Sequence, residues 1–229
     1  ENVFNHQAFT GRSGGMFGFE GLGCIYWHMV AKLLLAVQEN FFTALDQGTD
    51  ETVCRQLGQL YYRVRKGIGF NKAPAEYGAF PTDPYSHTPR HAGAQQPGMT
   101  GQVKEEILSR FGELGVRVSH GAVSFHPDLL RSREFVPKSR VFHYLDVADN
   151  WQSITVPPRG LAFTWCQVPI IYQLNDDVDT VLSSSWDDGT QNSLTQLALP
   201  AKESSELFRR SGRIRQLTVA LAAEQLFSE

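Results

Sequence analysis

The hydrophobic pattern of this chain changes period at Gly115, and that change limits the possible folds more than any motif does. Before it, apolar residues recur every three or four positions, as on one face of a helix; beyond it they alternate, as in half-buried strands. The expected class is therefore α+β, with the two periods in separate halves. No Ser/Gly or charge run divides those halves, so the boundary near residue 120 reads as a change of architecture, with domains over 1–120 and 121–229.

The helical half begins after a loop rich in Gly and aromatics, residues 1–22. From about Leu22 to Leu45, the set Ile25, Met29, Val30, Leu33, Leu34, Val37, Phe41 and Leu45 predicts a long helix that Gln47-Gly48 ends. Thr49 is the expected N-cap of a second helix with Val53, Leu57, Leu60, Tyr61 and Val64 on its apolar face, so the pair forms an αα-hairpin. A third helix is expected over about Gln102–Leu114, with Val103, Ile107, Phe111 and Leu114 on one side and Gly115 closing it. Beyond it, short strands are expected at 116–118, 122–125, 141–145, 154–156, 161–166, 168–172, 178–182 and 214–221. They imply a largely antiparallel β module. Asp188-Gly189, after Trp186-Asp187, is a hairpin turn with no chemistry assigned to it.

Candidate chemistry concentrates in the Pro/Gly loop from Tyr77 to the third helix. Loops of this length inside a compact domain are usually functional or disordered, and Phe70, Tyr77, Phe80 and Tyr85 argue for order. Gln95, Gln96, Thr100 and Gly101 put amide and hydroxyl groups beside the free N–H groups of a helix start, which suits a sugar or an oxyanion. The alternative is that Thr100 merely caps its helix. Asp83, Tyr85, His87 and His91 flank this loop, His87 being the stronger candidate for a phosphate contact or a proton transfer. Glu20 caps the helix that follows or, among Phe17, Phe19 and Leu22, has its pKa raised as a general acid requires, capping being the reading preferred. Arg12 either pairs with Glu20 or contacts ligand. Trp27 and His28 open the long helix, where an aromatic face suits a sugar ring as well as it suits core packing.

Composition excludes several classes. A formal net charge of −3 over 229 residues leaves no basic footprint for nucleic acid or an anionic membrane. The apolar stretch 22–37 is interrupted by His28 and Lys32 and is shorter than the roughly 20 residues a span needs. Cys24, Cys54 and Cys166 are far apart and odd in number, favouring buried reduced thiols and a cytoplasmic setting over disulfides or zinc. No His/Glu pair has helical metal spacing, so neither a metal nor an organic cofactor is expected. The chain opens at Glu1 and enters a motif-like stretch almost at once, so a preceding part of its own polypeptide is expected as its partner.

Three segments together resemble the C-terminal part of the six-hairpin (α/α)6-barrel carbohydrate enzymes, in particular the inverting disaccharide phosphorylases of the cellobiose and cyclic-glucan type. They are Cys24-Ile25-Tyr26-Trp27, the Thr100-Gly101 step, and the passage from Glu113-Leu114-Gly115-Val116 to Val123-Ser124-Phe125-His126-Pro127. The resemblance covers about residues 10–130 and implies the last hairpins of a partial (α/α)6 toroid, followed by a C-terminal antiparallel β module. It also implies a phosphate contact at Thr100-Gly101 and cleavage of a glycosidic bond in a disaccharide or oligosaccharide by phosphate or water. Those enzymes carry an acidic residue where this chain reads Asn5-His6-Gln7-Ala8-Phe9-Thr10-Gly11. The acid then lies upstream, or is Glu20, or the chain is a divergent member with other chemistry; the alternative is a non-catalytic glycan-binding module or a structural fragment.

Overall fold

The computed structural model describes residues 27–67, 100–175 and 180–228, with the side chains of 27–29 and 100–106 left aside. The chain divides into two compact units, Glu1–Arg110 and Phe111–Glu229.

In the first unit, helix α1 (Trp27–Asp46) is followed by α2 (Glu51–Gly67), and α3 begins at Thr100 and runs to Glu113, across the division between the units. A glycine lock ends α1: Gly48 has φ +64°, its N–H donates to Leu45 O, and Thr49 N–H reaches back to Ala44 O at 2.9 Å. These are the paired bonds of a Schellman motif, which only a left-handed residue completes without strain. The cap of α2 is Asp50 rather than the expected Thr49, because Asp50 Oδ1 accepts the Thr52 N–H at 2.8 Å. The Thr52 hydroxyl first, and this N–H second, hold the Asp50 carboxyl below its ordinary pKa.

The buried faces of these helices differ from the expected ones. Helix α2 buries Cys54, Gly58, Tyr61 and Tyr62 and leaves Val53 and Leu60 exposed. Helix α1 buries Ala31, Leu34, Val37, Gln38, Phe41 and Ala44 and exposes Leu33; in α3, Ile107 and Leu108 are exposed while Ser109 is buried. A polar contact explains one of these choices, since buried Gln38 donates through Nε2 to Ser109 O at 2.7 Å, and that contact faces α1 and α3 together through polar positions. Apolar periodicity carries no information about such a bond.

The second unit is built on a five-stranded sheet in the order β5-β6-β9-β7-β8, from β5 (Gly160–Trp165), β6 (Val168–Leu174), β7 (Val181–Trp186), β8 (Gln191–Leu194) and β9 (Ile214–Leu221). Two hairpins stand beside it: β1 (Val116–Ser119) with β2 (Ala122–Phe125), and β3 (Arg140–Leu145) with β4 (Trp151–Val156). Helix α4 (Ala201–Phe208) precedes β9. Ile170, Tyr172, Leu182, Leu217 and Val219, all fully buried, form the centre of a core that also takes Val123, Phe125, Leu130, Leu199 and Leu207. The Tyr172 hydroxyl donates to Leu114 O, and its ring meets Phe163 edge-on at 5.2 Å. Ser204 Oγ accepts the Val123 N–H at 3.0 Å and donates to Leu199 O at 3.2 Å, fixing α4 to β2 inside the core.

This architecture corrects the expected fold class. Among the described residues four α-helices stand against nine strands, α1 and α2 form the one helical hairpin, and a succession of toroid hairpins is not what the chain builds. Nor is the β module simply antiparallel: β9, last in sequence, enters between β6 and β7 and runs parallel to β6, making the sheet mixed. Three helices at toroid-like spacing could belong to many packings, because periodicity marks the face a helix buries and not the neighbours that cover it.

Candidate functional site

The β unit contains a concave site of about 290 Å³ at the end of the sheet where β6 and β9 begin and β7 finishes, walled on one side by the β3–β4 hairpin. Its size lies at the lower end of the range of small-molecule pockets, so it suits a group about as large as one sugar ring. Polar groups dominate the lining: Tyr144, Asp146, Gln152, Gln167, Ser185, Arg215 and Gln216.

Two hairpin turns make the rim. In the β3–β4 turn, Asp146 Oδ1 accepts the N–H groups of Ala148 and Asn150 at 2.9 and 3.0 Å, and Oδ2 accepts Gln152 Nε2 at 2.8 Å. The Asn150 N–H, then the Gln152 amide, hold the Asp146 carboxyl below its ordinary pKa, so it is ionised and serves as an acceptor. The β5–β6 turn consists of Cys166 and Gln167 with φ +51° and +64°, as a two-residue type I′ turn requires. Asn-Gly is the usual occupant, because Gly has no Cβ and Asn tolerates the left-handed region, where other residues cost roughly 1–2 kcal/mol. What Gln167 contributes in return is a tie between the turns: its Nε2 donates to Asp146 O at 2.9 Å and to Asp149 Oδ1 at 3.2 Å.

The three glutamines share one arrangement. Gln152 and Gln167 donate through Nε2 as described, and Gln216 Nε2 donates to Thr218 Oγ1 at 3.1 Å. Each amide is thereby oriented by its nitrogen, and among the described residues none of the three Oε1 atoms takes a protein hydrogen bond. The pocket thus offers three positioned carbonyl acceptors. Burial first, and the Asp146 charge second, raise the Tyr144 hydroxyl's pKa, so Tyr144 is a protonated donor beside them. Gly212, with φ +75°, brings the α4–β9 connection close to the β3–β4 turn; a Cβ there would lie 3.2 Å from Val147 Cγ2.

None of the sequence-derived site residues is among those that line this pocket. Glu20, Arg12, Asp83, Tyr85, His87, His91, Gln95 and Gln96 lie outside the described residues, as does Cys24. Trp27 and His28 are in the first turn of α1 and Thr100 and Gly101 in the first turn of α3, their side chains also outside the description. Of the remaining thiols, Cys54 is buried, as expected, and Cys166 is half-buried in its turn. The sequence does not reveal the pocket of the β unit because five separate segments build it. One signal was present: the strand runs 161–166 and 168–172 leave room only for a tight turn, and no Asn or Gly supplies it.

Among the described residues no cluster of His, Cys, Asp and Glu is placed to hold a metal, and no helix is long and apolar enough to cross a membrane. No protein-family model matches the sequence, and no curated protein matches it.

Proposed function

We propose that this chain belongs to a carbohydrate-processing protein and that its β unit acts there as a saccharide-binding module. The observation that carries the proposal is the set of glutamines, each anchored through nitrogen and each with a carbonyl oxygen left to accept from a ligand. Sugar hydroxyls are donors at close spacing and match such a set, with the Tyr144 hydroxyl as the complementary donor.

Binding without bond cleavage is the reading this pocket supports. Glycosidic cleavage needs a carboxylic acid that protonates the leaving oxygen. Asp146, the acidic residue of the lining, is held ionised by three donors and is an acceptor instead. Phosphorolysis or hydrolysis elsewhere in the same protein, with Glu20 as acid and Thr100-Gly101 holding phosphate, remains the larger proposal that the sequence resemblance motivates.

The test is a chemical-shift titration of the protein with a panel of neutral and acidic monosaccharides. At least one is expected to shift the side-chain amide signals of Gln152, Gln167 and Gln216 in a saturable way. Gln167→Gly is expected to weaken that binding while changing stability by less than about 1 kcal/mol, because relief of the left-handed strain offsets the lost hydrogen bonds. A panel that leaves all three signals unmoved removes the saccharide reading.

A further inference from the structure

Ile214, Arg215 and Gln216 are consecutive residues of β9, yet all three line the pocket, although side chains of a regular strand alternate between faces. The strand register accounts for this. Ser185 pairs with Gln216 and Trp186 with Ile214, so Arg215 is the extra residue of a β-bulge, opposite no residue of β7. Bulges are a recurrent means of re-aiming one side chain near a functional site.

The side chain so placed is a cation without a direct partner. Arg215 is exposed, and among the described residues no hydrogen bond or ion pair engages its guanidinium. Asp146, the carboxylate of the same lining, is already engaged by two backbone N–H groups and an amide. Arg213, two residues earlier, is held over the Trp186 ring at 5.5 Å, so it does not serve the same purpose.

Resting on the saccharide reading above, we propose that the pocket selects an acidic sugar, a uronic acid whose carboxylate pairs with Arg215 while its ring hydroxyls donate to the glutamine carbonyls. Arginine is suited to this because its planar donors match a carboxylate two at a time, and a charge-assisted pair is about twice as strong as a neutral one. The matching hydroxymethyl sugar keeps the glutamine contacts and lacks that pair.

The experiment compares sugars that differ only at C6: glucose with glucuronate, galactose with galacturonate, mannose with mannuronate, each titrated against the whole chain. In at least one pair the acid is expected to bind about tenfold tighter, an advantage that shrinks as salt is raised. In Arg215→Gln the two members of that pair are expected to bind equally, whereas Arg215→Lys retains a preference for the acid. Equal binding of acid and neutral sugar by the native chain overturns the proposal and leaves the saccharide reading standing, as does a preference that survives in Arg215→Gln. If no sugar of either kind moves the pocket signals, both fall together.

Discussion

Replacing Gly115 by alanine is expected to damage the β unit far more than the same change at Gly121, although both glycines have left-handed backbones, with φ +70° and +76°. The shared part of the cost is conformational. An L-residue in this region costs roughly 1–2 kcal/mol, and the lower entropy of the unfolded alanine chain returns about 0.4–1 kcal/mol, so Gly121→Ala costs about 1 kcal/mol. Nothing lies within 4 Å of a Cβ added at Gly121, and no further penalty arises there. At Gly115 the added Cβ would lie 2.0 Å from His126 C, 2.1 Å from His126 O and 2.3 Å from Pro127 N, all of them backbone atoms. No side-chain rotation relieves such overlaps, so one segment must move. That movement breaks the 2.8 Å bond from His126 N–H to Gly115 O and pulls on Leu114 O, which accepts from the buried Tyr172 hydroxyl. Two hydrogen bonds at about 0.5–1.5 kcal/mol each, added to the conformational cost and some lost packing, give a loss of about 3–4 kcal/mol for Gly115→Ala. Urea unfolding followed by the fluorescence of Trp151, Trp165 and Trp186 measures both variants. Equal losses at the two positions would refute the argument from backbone overlap.

Acid should disassemble the rim of the pocket. Asp146 has a folded pKa below its ordinary value, so the contribution of its turn bonds is complete above the unfolded pKa and is lost as pH falls through the folded one. Its carboxyl carbon signal is expected to titrate below 3.8, with the Ala148 and Asn150 amide signals following it; a midpoint at or above that value contradicts the assigned bonds. Ser204→Ala should cost about 1–3 kcal/mol by denaturant unfolding, since it leaves the buried Val123 N–H without its acceptor, and a loss below about 0.5 kcal/mol would show that another group replaces the hydroxyl.

Much of the local structure could be read from residues near one another in the chain. Gly48 and Gly115 close their helices as expected, and β9 runs over the predicted 214–221. The turn at Asp188-Gly189 joins β7 to β8, with Gly189 at φ +84°. Strand β8 and helix α4 are not legible in the sequence because QNSL has no apolar alternation and AKESSELF is a short, mostly polar segment. In both, burial of a few groups against the rest of the unit supplies what local preference does not. The candidate site was legible least of all: Gln152, Gln167 and Gln216 lie in three separate segments, and although Thr218 of its own strand orients Gln216, Gln167 acquires its orientation from a hairpin turn that the fold brings to it.

From the sequence alone come the two periods, the residues where helices stop, and the turn residues between strands, because these follow from sterics and side-chain spacing within a few positions of one another. Strand order is different in kind. That β9 enters between β6 and β7, parallel to one and antiparallel to the other, and that its bulge carries Arg215 into a pocket bordered by two hairpin turns, was decided only when distant segments packed around Tyr172, Leu182, Leu217 and Val219. An alternating strand shows which of its faces is buried but is compatible with many neighbours, and the choice among them belongs to the shared core.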